Sequence, residues 1–488
     1  MSMHRFFSAI GAAALAASCA APAVAAPSPA PAAALHPCAV RETSEPALCG
    51  TLTVFEDRER GTGRTIALNV MVLPALSPPA ELDPFVILVG GPGEAATAEA
   101  GDAAARFAAI RVRRDIVLVD QRGTGGSNAL RCGAHELELM RGYFVGDVTP
   151  DAVRRCSRRL QASADPRFYT TPLAADDLDD VRAWLGYGRV NLYGSSYGTR
   201  AALVYLRRHG DRVRTATLRG VLSTAETKPL HEARDAQGAL DTLFTACAQD
   251  TACNVAFPNV RAEFDDVLKR RSSAPSSIDV RNTRTGETIT VPVTRELFAG
   301  VIRRLLYDTD FQSLVPLVIH AAYRDDLTPL RRFIGQSFAL ESFVSVGMNL
   351  SVRCSEDVPF LDPAEIAGAA AGTFLGHTAA DAARATCAEW PHAAVPASYR
   401  APVRSTVPVL IFSGAIDPDT PPDRGAIVAR TLSNASHVVL PTIAHSPFPA
   451  CAVAVMARFV EQGSMRDVAT APCTASLRRP PFVLALPK

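Results

Sequence analysis

The stretch Arg189-Val-Asn-Leu-Tyr-Gly-Ser-Ser-Tyr-Gly-Thr-Arg200 constrains this chain more than any other. Its apolar start reads as a buried strand and its end as the opening of a helix, so the backbone must reverse at the bend between them. Gly194 and Gly198 bracket Ser196 in a G-x-S-x-G pattern, where only small neighbours let strand and helix approach closely and the serine backbone is strained. Ser196 is therefore the predicted nucleophile. A nucleophile at the neighbouring Ser195 would have Tyr193 and Tyr197 at the two critical positions, which would crowd the turn.

The flanks extend the unit to helix, strand, bend, helix. Upstream, Thr171 to Leu185 carries apolar residues at Leu178, Val181 and Leu185, and is expected as an amphipathic helix with acids in its first turn. Downstream, Arg200 to Arg208 continues as a helix closed by His209 and Gly210, with cations in its last turn.

The chain has 488 residues, is 48% hydrophobic and has a formal net charge of +1, so a large core is available for one or two domains. Its scattered basic residues leave no footprint for nucleic acid. Residues 1–25 read as a secretory signal peptide, with Arg5, an apolar run from Phe6 to Ala17 and an Ala23-Val24-Ala25 cleavage site. The run is too alanine-rich and interrupted for a stable membrane span. Cys19 follows a stretch that resembles a lipoprotein processing site, so lipid anchoring is the alternative to a free exported protein. Without Cys19 the eleven cysteines leave an even ten, consistent with disulfides in an oxidising compartment. Pairing neighbours in sequence gives Cys38–Cys49, Cys132–Cys156, Cys247–Cys253, Cys354–Cys387 and Cys451–Cys473. No C-x-x-C or H-E-x-x-H suggests a metal site.

Residues 26–37 read as a Pro/Ala-rich disordered lead-in. Thr51–Phe55 and Ile66–Leu73 then look like an antiparallel pair, followed by core strands at Pro84–Val89 and Asp115–Val119. The first of these core strands ends in Gly90-Gly-Pro-Gly93, where backbone N–H groups can approach a ligand oxygen. Gly91 N–H is the expected oxyanion donor, with Tyr197 N–H as the second. Gly123-Thr-Gly125 is a poor dinucleotide fingerprint because Asn128 stands at its third glycine position; Asp120 and Arg122 are expected to brace the loop. Residues 38–222 and 402–488 read as two parts of one core, with residues 223–401 inserted as a mainly helical lid before the strand Val407–Phe412.

A serine nucleophile needs a base and a carboxylate to orient it, on loops at the same strand ends. His445 follows the last strand whereas His437 precedes it, and the strand separates its ends by roughly 10–15 Å, so His445 is the expected base. The loop after Phe412 holds Asp417, Asp419 and Asp423. Asp417 precedes Pro418, which biases it to an extended conformation, and it is the expected acid with Asp419 as runner-up. The order Ser196, Asp417, His445 is that of the α/β hydrolases.

On Gly90-Gly-Pro-Gly93, Asp120-Gln-Arg-Gly-Thr-Gly125, Gly194-Ser-Ser-Tyr-Gly-Thr199, Ser413-Gly-Ala-Ile-Asp-Pro-Asp-Thr-Pro-Pro422 and Ala444-His445, the chain resembles the secreted α/β-hydrolase serine peptidases related to prolyl and tripeptidyl aminopeptidase. The resemblance implies a mostly parallel sheet flanked by helices and hydrolysis through an acyl-enzyme. It also implies a peptide or small acyl substrate and no metal or organic cofactor. Val89 stands where prolyl aminopeptidases carry histidine, so proline specificity does not transfer with the fold. An aminopeptidase must hold a protonated α-amine with carboxylates; Glu356 and Asp357 in the lid, and Glu94 beside the glycine loop, are the candidates. The alternatives are an esterase or amidase with the same triad, and a binding protein on an inactive hydrolase fold, which would need a lost triad residue where none is lost.

Overall fold

The apolar runs in the sequence become strands because most are covered on both faces. A computed structural model describes residues 35–41, 43–133, 149–281, 286, 288–340, 344–466 and 468–486. The strands of the main sheet are β1 (His36–Ala39), β2 (Pro46–Phe55), β3 (Thr65–Leu73), β4 (Glu81–Leu88), β5 (Arg114–Val119), β6 (Val190–Ser195), β7 (Val213–Arg219), β10 (Val409–Gly414) and β11 (Ala435–Leu440). They lie in the order β1-β2-β3-β5-β4-β6-β7-β10-β11. The edge from β1 to β5 pairs antiparallel, and all pairs from β5 across to β11 are parallel.

Alternation along the central strands feeds two cores. Phe85, Ile87, Tyr193, Leu410 and Phe412 face one side of the sheet, while Val86, Leu88, Leu192, Val409 and Ile411 face the other. The parallel pairing brings the C-terminal ends of β4, β6, β7, β10 and β11 to one edge, where ligand crevices form in such sheets. The ten paired cysteines are bonded as Cys38–Cys49, Cys132–Cys156, Cys247–Cys253, Cys354–Cys387 and Cys451–Cys473.

Several expectations need correction. His36 and Pro37 belong to β1, paired with Cys49 and Leu48, rather than to a disordered lead-in; the leader, Cys19 and the lead-in up to residue 34 lie outside the described residues. The helix Thr171–Trp184 has no acid in its first turn. Its acids serve tertiary contacts instead: Asp177 takes a bidentate pair from the fully buried Arg122, at 2.6 and 2.7 Å. Arg122 also donates to the carbonyls of Glu56 and Phe168, and Asp120 accepts from Asn69, Thr97 and Gly126.

Residues 223–401 divide between two cores. The helices from Glu232 to Ile334, with the hairpin of β8 (Ser276–Arg281) and β9 (Thr288–Val293), build a separate cluster that includes Phe298, Ile302, Phe374 and, from the C-terminal tail, Phe482. Val346, Met348, Val352, Trp390 and Tyr399 pack into the main core instead. No helix among the described residues is long and apolar enough to cross a membrane. Among those residues, no group of three or more His, Cys, Asp or Glu is arranged to hold a metal ion.

Candidate active site

At the end of β6 the chain turns through Ser196, whose φ of 55° and ψ of −124° are strained for a side-chain-bearing residue. Sterics explain the two flanking glycines. A Cβ on Gly194 would lie 2.5 Å from the Gly198 carbonyl oxygen, and one on Gly198 would lie 2.0 Å from the Leu88 carbonyl oxygen. The turn is fixed by the Ser196 N–H donating to the Arg219 carbonyl at 2.9 Å and by the Thr199 hydroxyl donating to the Ser196 carbonyl at 2.6 Å. Ser195 is occupied, its hydroxyl accepting from Arg219 at 2.9 Å.

β10 and β11 bring Asp417 and His445 together, with Asp417 Oδ2 2.8 Å from His445 Nδ1. Asp417 also accepts from the backbone N–H groups of Asp419 and Thr420 and from the Thr420 hydroxyl. Burial pushes its carboxyl up, but His445 and the Thr420 N–H outweigh that and hold it below the usual carboxylate range. An ionised Asp417 only accepts, so the ring proton sits on Nδ1 and Nε2 is left as the basic nitrogen. Thr420 Oγ1, 3.1 Å from Nδ1, is a member of this group that sequence reasoning passed over, although it lies within the motif that supplied Asp417.

The rival groups are engaged elsewhere. Asp419 is gripped by Lys228 at 2.7 Å and by Arg303 at 3.3 Å, Asp423 pairs with Arg424, and His437 contacts the Ser413 hydroxyl. Ser196 and His445 border one cavity of about 1320 Å³. Among the described residues no hydrogen bond joins the Ser196 hydroxyl to His445, a contact that commonly tightens only once substrate is in place.

Gly91 and Tyr197 also line this cavity. Neither N–H has an acceptor among the described residues, and Gly91 adopts a φ of 103° that only glycine takes readily. The glycine loop is held from the inserted region: Ser345 N–H donates to the Gly93 carbonyl at 2.8 Å, and the Asn349 amide to the Pro92 carbonyl at 2.9 Å.

The three acids expected as amine anchors separate clearly. Glu356 is fully buried, accepting from Thr171 N–H at 2.6 Å, from the Thr171 hydroxyl at 2.8 Å and from the Tyr399 hydroxyl, and it does not border the cavity. Asp357 borders the cavity but takes both ends of the Arg200 guanidinium, at 2.9 and 3.1 Å, and the Lys228 N–H. Nothing local to the two acids announces these partners, which come from remote segments. Glu94 is different. One of its oxygens accepts from Gly90 N–H at 2.9 Å; His445 and Arg304 lie close enough to act on it, but neither forms a salt bridge with it among the described residues. Burial, then the neighbouring Glu99, raise its carboxyl above the ordinary value.

Two family models match the chain: the alpha/beta hydrolase fold over residues 83–274 and TAP-like protein over residues 373–472. The serine protease Hip1 of Mycobacterium tuberculosis is 26% identical over 415 residues, 79% of each chain. Tripeptidyl aminopeptidase of Streptomyces lividans is 29% identical over 204 residues, 39% of this chain and 38% of that protein. Carboxylesterase B of Mycobacterium tuberculosis is 27% identical over 428 residues, 80% of each. Among solved structures, proline iminopeptidase of Mycobacterium smegmatis aligns over 86% of this chain and 99% of its own, at 17% identity and a TM-score of 0.39. The first model carries the glycine loop and the Ser196 bend and the second carries Asp417 and His445, so the chain has the α/β-hydrolase fold and its C-terminal part is similar to the TAP-like proteins.

Proposed function

We propose that this protein is an exported serine peptidase that works through an acyl-enzyme and releases residues from free peptide N-termini. Ser196 Oγ attacks the scissile carbonyl carbon while His445 Nε2 takes its proton, and Asp417 holds the imidazole and stabilises its charged form. The oxyanion is received by the N–H groups of Gly91 and Tyr197. His445 then returns the proton to the departing amine, and water, deprotonated by the same nitrogen, releases the acyl group and restores Ser196.

The observation that carries this reading is one cavity bordered by a strained serine, by a histidine whose other ring nitrogen is held by a buried carboxylate, and by two N–H groups without acceptors among the described residues. Residues 223–401 serve in it as the lid. Five disulfides favour an oxidising compartment. The substrate ammonium is assigned to Glu94, an acid on the cavity wall that feels His445 and Arg304 but forms no salt bridge among the described residues.

The test pairs labelling with a substrate panel. A fluorophosphonate should modify Ser196, and Ser196→Ala should lose labelling and turnover by about 10⁴ or more. Peptidyl anilides with free N-termini should be cleaved far better than acetylated ones, and Glu94→Gln should erase that preference. Labelling at Ser195 would overturn the nucleophile assignment. A second reading, an esterase, draws on the carboxylesterase relative and on apolar cavity residues such as Val301, Phe333, Ile334 and Leu350; a preference for acetylated peptides or plain nitrophenyl esters would select it.

A further inference from the structure

The loop that carries His445 is not held by the hydrolase core alone. On one side Arg219 donates to the His445 carbonyl. On the other, the segment Tyr307-Asp308-Thr309, which belongs to the region inserted between β7 and β10, runs beside Ala444-His445-Ser446 like a short parallel strand. Ser446 N–H donates to the Tyr307 carbonyl at 2.9 Å, Thr309 N–H donates to the Ser446 carbonyl at 2.9 Å, and the Ser446 hydroxyl donates to Asp308 at 2.7 Å. The Thr309 hydroxyl closes the set, accepting from the buried Ala444 N–H and donating to the Ser446 carbonyl, both at 2.9 Å. The residues on either side of His445 are thus tied to one threonine. The Tyr307 ring stands edge to face with the imidazole at 5.2 Å between centroids.

We propose that Thr309 is a positioning residue for the base, so that the inserted region completes the catalytic geometry as well as roofing the cavity. Thr309 is buried and does not border the cavity, so it acts through His445 and not on substrate. Replacing its hydroxyl by a methyl of similar size leaves the buried Ala444 N–H without its acceptor, and the loop must shift to satisfy it. A misplacement of about 1 Å at a reacting group costs on the order of 100-fold in rate. The inference rests on His445 being the base.

The experiment measures p-nitrophenyl acetate turnover and the rate of fluorophosphonate labelling for wild type, Thr309→Val, Thr309→Ser and His445→Ala. Thr309→Val should lower kcat by about 10- to 100-fold with KM nearly unchanged, and should slow labelling by the same factor. Thr309→Ser, which keeps the hydroxyl, should stay close to wild type. Should Thr309→Val fail to fold by circular dichroism, Asp308→Ala, which removes the acceptor for the Ser446 hydroxyl, should give the same split with a smaller loss. Wild-type kcat in the folded variant, a loss carried by KM, or an equal loss in Thr309→Ser overturns the positioning role while His445→Ala remains inactive. Wild-type turnover in His445→Ala overturns the base assignment and this inference with it.

Discussion

The tightest contact at the candidate site is between the helix that follows Ser196 and the strand that leads into the glycine loop, and Gly198→Ala probes it. The new methyl would lie 2.0 Å from the Leu88 carbonyl oxygen, against about 3.3 Å for an ordinary carbon–oxygen contact. The helix and the end of β4 must therefore separate by roughly 1.3 Å. Leu88 is only three residues from Gly91, so the displacement passes to the proposed oxyanion donor. Losing one such donor costs on the order of 10²–10³ in kcat, and overpacking of this kind about 1–3 kcal/mol in stability. Helix propensity alone favours alanine over glycine by about 1 kcal/mol, so a destabilised variant cannot be ascribed to propensity. The assay is steady-state hydrolysis of p-nitrophenyl acetate beside thermal unfolding. Gly210→Ala serves as control, because Gly210 caps the same helix at a φ of −60° and its new methyl would meet nothing within 4 Å. It should change stability by no more than about 0.5 kcal/mol. Wild-type turnover in Gly198→Ala would refute the steric reasoning.

Asp417→Asn should lower kcat by about 10⁴, since the amide no longer fixes the ring proton on Nδ1; retained turnover would shift the acid role elsewhere. Glu226, buried with one oxygen on Arg424 and the other without a hydrogen-bond partner among the described residues, has its carboxyl pushed up to about 7 by burial. A raised acid favours the fold below its unfolded value of 4.5 and loses that contribution as pH rises through about 7. Melting curves should therefore decline across this window and flatten in Glu226→Gln, a difference of roughly 3 kcal/mol. Removing the Cys354–Cys387 disulfide, which spans 33 residues, should cost roughly 3–4 kcal/mol in urea unfolding.

The parts of this site that can be read from sequence are those set by local sterics or by the order of strand and loop. Gly194 is required by contact with Gly198 in its own bend, whereas Gly198 is required by Leu88 and Val89 at the end of the neighbouring strand; His445 lies beyond the C-terminal end of β11, while His437, expected before the strand, lies inside it opposite Ile411. Asp417 is harder to separate from Asp419, because the deciding partners, Lys228 and Arg303, come from the inserted region. Glu356 looks available in sequence because it stands two residues from a cysteine whose disulfide would hold it still. Its real surroundings are Thr171 and Tyr399, remote in sequence and brought in by packing. The acids of Thr171–Trp184 suggest a helix-dipole role for the same reason: nothing local announces that Asp177 meets Arg122. Thr309 leaves no signal, since one threonine in a helical region has no pattern to distinguish it.

The division of residues 223–401 between two cores bears on how such an enzyme could change its substrates. A cap that rested on the hydrolase only at its ends could be exchanged whole, as a cassette, with the chemistry left behind. Here Ser345 and Asn349 hold the glycine loop, Tyr307 and Thr309 hold the histidine loop, and the C-terminal Phe482 is seated among the cap helices. A transplanted cap would remove backbone partners from the glycine loop and the histidine loop at once and leave the tail without its seat. New specificity in this scaffold therefore has to arrive by single replacements on the cavity wall, at positions such as Phe333 or Leu350, while the segments that grip the loops stay as they are.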